Sequence, residues 1–292
     1  MALFNTLSII GPGLIGSSIL RKARENNAIA NKLIVADNNP NNLKRIEELN
    51  LADVVTEDLT EAAKADCVII CVPVGAVENV AQAVLPHMPA GAILSDVASV
   101  RGKISLKIQQ ILPQNISYVP GHPMAGTEHS GPDAGFSKLF ENRWCLLVPP
   151  PHTDPHAIHK MEEFWALCGA KTNILADEKH DRICAMVSHL PHLLAFTICD
   201  SADNLSGELK TAVLDYAASG FMDFTRIAGS DPIMWRDIFI ENKDAILDTL
   251  DRFILNAETM AQAIREGDGA TITNKIEHSR QIRRKLIENK QV

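Results

Sequence analysis

Six residues, Gly11-Pro12-Gly13-Leu14-Ile15-Gly16, constrain this chain more than any other feature. They follow the apolar run Leu7 to Ile10 and open a helical pattern, and Asp37 closes the next apolar run about 20 residues later. A strand that turns into a helix through such glycines has a specific geometry. Gly11 permits the tight turn, Gly13 lets the backbone approach a pyrophosphate, and Gly16 lets the helix pack closely on the strand while its N-terminus faces the anion. Asp37 then sits where a carboxylate accepts hydrogen bonds from ribose hydroxyls and repels a 2′-phosphate, which predicts NAD rather than NADP. Leu14 and Ile15 at the helix start, with Val72 and Pro73 where the third strand ends, complete the candidate cofactor-binding set.

The rest of the first half supports this reading. Short apolar runs at Leu7 to Ile10, Lys32 to Ala36, Cys67 to Val72, Ala92 to Val97, Ile116 to Val119 and Trp144 to Val148 alternate with helical patterns. That alternation predicts an α/β fold with a Rossmann-type parallel sheet, its strands buried on both faces. After Ile174 the strand signals stop. Helices are expected over Glu178 to Asn204, Glu208 to Ser219, Pro232 to Glu266 and Ala270 to Glu288, with Pro191 kinking the first. The domains expected are 1–174, binding dinucleotide, and 175–292, an all-α domain for substrate binding and dimerisation. The long helix starting at Pro232 carries Ile238, Ile246, Leu250, Phe253 and Ile254, an apolar set that a second subunit would cover.

Charge and cysteine usage narrow the partners. A net charge of -8 has the wrong sign for a protein that neutralises phosphates, so nucleic acid is not expected. No apolar run is read as long enough to cross a bilayer, and the six cysteines form no CxxC pair. A cytoplasmic protein with reduced thiols, no metal and no membrane partner is the expectation.

Ligands of open α/β sheets collect beyond the carboxyl ends of the strands, which directs attention to the segments at 73–75, 96–99 and 121–128. His122 and Ser99 leave adjacent strand ends, where a hydroxyl can orient an imidazole and leave its other nitrogen free as a base. The helical half adds His189 and His192, three apart on one helix face, and Arg226, either a carboxylate clamp or a structural ion-pair partner.

Taken together, Gly11 to Ser17, Asp96 to Val100, Gly121 to Gly131, Ser188 to His192, Asp223 to Arg226 and Ser230 to Arg236 resemble, in order and along nearly the whole chain, the diagnostic blocks of the prephenate/arogenate (cyclohexadienyl) dehydrogenases of tyrosine biosynthesis. The resemblance implies an NAD-dependent oxidoreductase acting on CH–CH groups. It would convert prephenate to 4-hydroxyphenylpyruvate, arogenate to tyrosine, or both. It makes His122 the catalytic base with Ser99 as its orienting partner, Arg226 the carboxylate clamp, and Glu128, His192 and His189 part of the substrate pocket. It also implies a monofunctional catalytic core, without a chorismate mutase segment or a regulatory domain, acting as a homodimer. If His122 titrates as an ordinary histidine, kcat/KM falls on the acid side near about 6 to 7. Two other classes share the architecture. A β-hydroxyacid or 6-phosphogluconate-type dehydrogenase would need a lysine base, for which the helix from 178 offers only Lys179, and a non-enzymatic NAD-sensing regulator would not need His122 with Arg226.

Overall fold

The first strand, β1 (Phe4–Ile10), is buried at every position but Asn5, as a strand with helices on both faces must be. Around it the computed structural model, which describes residues 1–127 and 129–288, places β2 (Ala30–Ala36), β3 (Val54–Thr56), β4 (Cys67–Ile70), β5 (Ile93–Asp96) and β6 (Ser117–Tyr118). All five pairings are parallel and the strand order is β3-β2-β1-β4-β5-β6, the order of a Rossmann domain. Successive residues supply opposite faces. Ile9, Leu33, Val35, Cys67 and Ile69 pack into one core, while Ile10, Ile34, Ala36, Val68 and Ile70 pack into the other.

The crossover helices are α1 (Leu14–Glu25), α2 (Pro40–Glu48), α3 (Leu59–Ala62), α4 (Val77–Val84) and α5 (Gly102–Ile111). The start of α2 behaves as its sequence predicts: Asn39 caps it by accepting from the Asn41 amide at 3.0 Å, with Pro40 in the first turn. The run from Trp144 departs from expectation. It does not extend the parallel sheet but forms β8 (Trp144–Leu147) of a second sheet, antiparallel to β7 (Gly121–Pro123) and parallel to β9 (Lys171–Ile174). The cause is its neighbour: β7 is too short and too polar in sequence to be read as a strand, yet it is what β8 pairs with. Between β8 and β9 lies α6 (Pro155–Leu167), whose Phe164 and Trp165 join the first core.

The helices that follow are α7 (Asp177–Cys184), a π-helical turn at Ala185–His189, α8 (Leu190–Asp203), α9 (Glu208–Asp215), α10 (Ser219–Thr225), α11 (Pro232–Glu241), α12 (Lys243–Glu266) and α13 (Gly269–Glu288). The irregularity expected from Pro191 is there, taken up as the π turn just before it. The single helix expected over Pro232 to Glu266 is broken at Asn242, which leaves helical geometry at φ -104°, ψ 24°. By compactness one unit runs from Met1 to Lys243 and a second from Asp244 onward. Trp235 and Ile238 of α11 belong to the second core of the nucleotide-binding sheet, which is why the first unit extends past residue 174. The continuous stretch Asp177–Asp203 is long and apolar enough to cross a membrane by length and composition, contrary to the sequence expectation. It lies within the first unit and carries the buried His180, Cys184 and His189, although only 28% of its apolar window is buried.

Candidate active site

The glycine turn is built for an anion. Gly11 has φ +88°, and a Cβ there would lie 2.9 Å from both the Cys71 carbonyl and Val72 Cγ1, which also places Val72 against the turn. A Cβ on Gly16 would strike the Gly11 carbonyl and come within 3.0 Å of Ile9, so α1 packs onto β1 at a distance only glycine allows. Gly13 differs: nothing lies within 4 Å of the position its Cβ would take. It is the N-cap of α1 without a side-chain cap, and the first turn holds no acid. The space beside Gly13 at the start of α1 is open, and the residues fit a dinucleotide pyrophosphate. Leu14 and Ile15 pack from the first turn of α1 onto the core, and Pro73 follows Val72 beyond β4. Asp37 lies one residue past β2, half-buried, accepting from the Asn39 amide at 2.8 Å and the Asn42 side chain at 2.9 Å.

His122, the middle residue of β7, is 9% exposed. Gly121 before it has no room for a side chain, since Trp165 Nε1 and Cys145 Sγ would lie 3.1 and 3.2 Å from its Cβ. The partner of His122 Nδ1 is not Ser99. It is His180 Nε2 of α7, at 2.9 Å, and His180 Nδ1 in turn lies 2.9 Å from Asp181 Oδ1. Ser99 is half-buried in the turn after β5 and makes no hydrogen bond to His122 among the described residues. His180 reaches His122 from 58 residues away, a tertiary contact with no trace in the Ser99 segment. Cys184 Sγ completes the cluster, 3.5 Å from His180 Nε2 and 3.6 Å from His122 Nδ1. Burial drives the His122 pKa well below the ordinary histidine range, and the neighbouring His180 and Arg101 charges push the same way. Burial also raises the Cys184 thiol to about 12, so it stays protonated.

The turn after β5 is held by a buried ion pair and hydrogen bonds. Arg101, fully buried, pairs with Asp96 at 2.7 Å and donates to the Ala98 carbonyl, while the Tyr118 hydroxyl donates to the other Asp96 oxygen at 2.6 Å. Asp181 reaches across from α7 to cap α5, accepting from the Arg101 and Gly102 amides at 2.9 Å each. Burial alone would raise its pKa, but the hydrogen bonds from His180 and the two amides hold it below the usual carboxylate value.

His189 and His192 share a helix face but have different partners. His189, fully buried, meets Asn242 at Nδ1 (3.0 Å), and the same Asn242 amide donates to the Asp181 carbonyl at 3.0 Å. The amide nitrogen must therefore donate to both, which puts the His189 proton on Nε2. That atom is buried with no partner among the described residues, and burial lowers the His189 pKa to about 4. His192 Nδ1 donates to the Ser188 carbonyl at 2.9 Å, and its ring stacks on Trp235 at 3.7 Å. Arg226 begins the 3₁₀ turn after α10. It is exposed, makes no ion pair among the described residues, and lies near enough for its charge to lower the His192 pKa after burial has done most of that. Glu128 lies outside the described residues. Lys179, the lysine that a β-hydroxyacid-type dehydrogenase would need, is exposed beside the buried His180.

Comparison with known proteins settles the family. Residues 20–174 match the family described as prephenate dehydrogenase, nucleotide-binding domain, and residues 176–278 match prephenate dehydrogenase, dimerization domain. The chain belongs to the prephenate dehydrogenase family. A cyclohexadienyl dehydrogenase of Zymomonas mobilis is 37% identical over 97% of this chain and 96% of its own length, and a prephenate dehydrogenase of Bacillus subtilis is 32% identical over 92% of this chain and 72% of its own. Among solved structures, a prephenate dehydrogenase from A. aeolicus in complex with hydroxyphenyl propionate and NAD+ superposes with a TM-score of 0.91 at 29% identity, covering 97% of this chain and 98% of that one.

Within this prephenate dehydrogenase fold, sequence reasoning missed His180, Asp181, Cys184, Trp235 and Asn242. His180 and Cys184 carried a signal, because an i, i+4 spacing puts them on one helix face. Trp235 was legible only as part of a motif block. Asn242 carried none, since it lies inside an unbroken helical pattern.

Proposed function

We propose that this chain oxidises prephenate, arogenate or both with NAD, releasing CO2 and forming 4-hydroxyphenylpyruvate or tyrosine in tyrosine biosynthesis, an oxidoreductase acting on a CH–CH group. The observation that carries the reading is His122, a buried and neutral imidazole in the middle of β7 whose Nδ1 is held at 2.9 Å by His180, in a chain with an open dinucleotide turn at Gly13. NAD, when bound, supplies the acceptor for the hydride that leaves ring carbon C4. The protein's own residues do the rest. His122 takes the C4 hydroxyl proton at Nε2 as the ring becomes aromatic with loss of its carboxylate. Ser99, whose access to Nδ1 is taken by His180, meets the base or the substrate hydroxyl on the Nε2 side. His189 offers a neutral N–H donor, and Arg226, without an ion pair among the described residues, clamps a substrate carboxylate with Glu128 and His192 lining the pocket.

Asp37 supports NAD over NADP through its carboxylate at the end of β2. The working division is a nucleotide-binding domain over 1–174 and a helical domain for substrate binding and dimerisation over 175–292. A homodimer is supported by the match of residues 176–278 to a dimerization domain. A cytoplasmic location is supported by six free cysteines, four of them buried. Steady-state kinetics with both substrates and both nucleotides tests the reading. Turnover of prephenate or arogenate is expected with NAD, at a higher kcat/KM than with NADP, and no turnover of either substrate overturns it.

A further inference from the structure

The geometry points to a three-residue positioning chain in which Asp181 sets the tautomer of His180 and His180 sets the tautomer of His122, so that the lone pair offered to substrate is the one on His122 Nε2. This rests on the reading of His122 as the base for the C4 hydroxyl.

The argument begins at the carboxylate. Asp181 receives two backbone N–H groups, Arg101 on Oδ1 and Gly102 on Oδ2, each at 2.9 Å. Both oxygens thus act as acceptors, and Asp181 is ionised. His180 Nδ1, 2.9 Å from Oδ1, has to carry a proton, because an acceptor cannot face an acceptor. A neutral His180 with its proton on Nδ1 has a lone pair on Nε2. His122 Nδ1 lies 2.9 Å from that lone pair and must be the donor. A neutral His122 with its proton on Nδ1 keeps Nε2 unprotonated. Two rings therefore transmit the orientation of one carboxylate to the atom that does the chemistry.

The chain also acts during the step. The proton leaving the C4 hydroxyl bonds to His122 Nε2, the hydride goes to NAD, and the carboxylate departs as CO2, leaving its bonding pair in the ring as a phenolate that takes up a proton to give the phenol, so atoms and electrons balance. His122 then carries a positive charge in a buried site. The His180 Nε2 lone pair receives its Nδ1–H, and the ionised Asp181 behind His180 opposes the charge. His180 touches His122 and Asp181 touches His180, so both are positioning residues that act through His122. Asp181 is itself fixed by three hydrogen bonds, two from the start of α5 and one from Asn242 to its carbonyl.

Long-range 1H–15N correlation spectra of the [15N]histidine-labelled full chain read the tautomers directly. His122 and His180 are both expected as Nδ1–H forms, and an Nε2–H form at His122 overturns the chain. In Asp181→Asn the carboxylate charge behind His180 is lost, and the amide nitrogen meets a backbone N–H at either place, Arg101 at Oδ1 or Gly102 at Oδ2, so the anchor of both rings is weakened. kcat is then expected to fall about 10²- to 10⁴-fold while KM for prephenate changes less than about threefold. A wild-type kcat in that variant overturns the proposal. If Asp181→Asn does not fold, His180→Gln and His180→Leu decide. Gln returns an acceptor oxygen to the place of Nε2 and should keep kcat at least tenfold above that of Leu, and equal losses overturn the chain. His122→Asn separates this from the underlying reading. If it retains kcat, the base assignment fails, whereas the tautomer spectra of the unmodified protein still judge the chain.

Discussion

Burial of imidazoles dominates the residue scale, and it makes the pH behaviour of this protein differ from that of an ordinary histidine enzyme. His122 is pushed well below its usual pKa, first by burial and then by His180, Arg101 and His189, so the base stays neutral further into acid. The acid limb of kcat/KM is accordingly expected below the about 6 to 7 that the sequence suggests, and a limb at or above 6.5 would contradict the burial argument. Stability responds with the opposite emphasis. His122, His180 and His189 are all lowered by burial, His189 to about 4, so below about 6.5 the unfolded chain binds protons that the folded chain refuses. Their contribution is complete above the unfolded value and is lost as pH falls from there toward the lowered folded values. Denaturant midpoints measured between neutral and mildly acid pH should fall steadily, and a flat profile would count against neutral buried imidazoles. Substitutions divide the roles further. His122→Asn should cut kcat about 10²- to 10⁴-fold with KM little changed. Arg226→Gln should raise KM by about tenfold with kcat nearly intact, the smaller effect expected of a guanidinium that is exposed before substrate arrives.

At the scale of elements, the two glycines that flank the first turn of α1 should respond differently to the same added methyl. Gly13→Ala meets nothing within 4 Å, whereas Gly16→Ala collides with the Gly11 carbonyl. The first should leave the melting temperature within about 2 °C and weaken NAD binding at least tenfold, because the methyl enters the space a pyrophosphate needs. The second should lower the melting temperature itself. Thermal melts with and without NAD separate them, and a Gly13→Ala variant that binds NAD normally would remove the turn from the cofactor site. These glycines were legible because local backbone geometry admits few alternatives. So were β1, β2 and β4, whose apolar runs need only burial on both faces. The break at Asn242 was not legible, since its cause lies elsewhere in the chain: the side chain leaves the helix to donate to Asp181 and His189. The same holds for β7, a three-residue strand defined by β8, and for His180, whose partner is 58 residues away. Where a role is set by a contact across the fold, a single sequence carries the residue but not the relation.

For the whole molecule the question is what covers α12 and α13. Leu247, Phe253, Ile254, Leu255 and Ile264 on α12 are exposed, as are Ile276, Ile282, Leu286 and Ile287 on α13. Leu255 and Ile264 keep more than 60% of their surface. Single exposed apolar side chains are ordinary, but nine on two consecutive helices are not. The described part of this unit has no strand and only these two helices, too little chain to build a core by itself. A second copy would supply the missing surface, and a two-fold arrangement would let the same helices cover each other without leaving an open end. Light scattering at micromolar concentration should give twice the 31.9 kDa of one chain. A paired substitution sharpens the test: Leu255→Glu with Ile264→Glu should produce monomer, or a marked rise in the dissociation constant, if these positions lie in the interface. An unmodified chain that scatters as a monomer, or a doubly substituted one that remains a dimer of unchanged affinity, would place the interface elsewhere and leave the apolar faces of α12 and α13 to another partner.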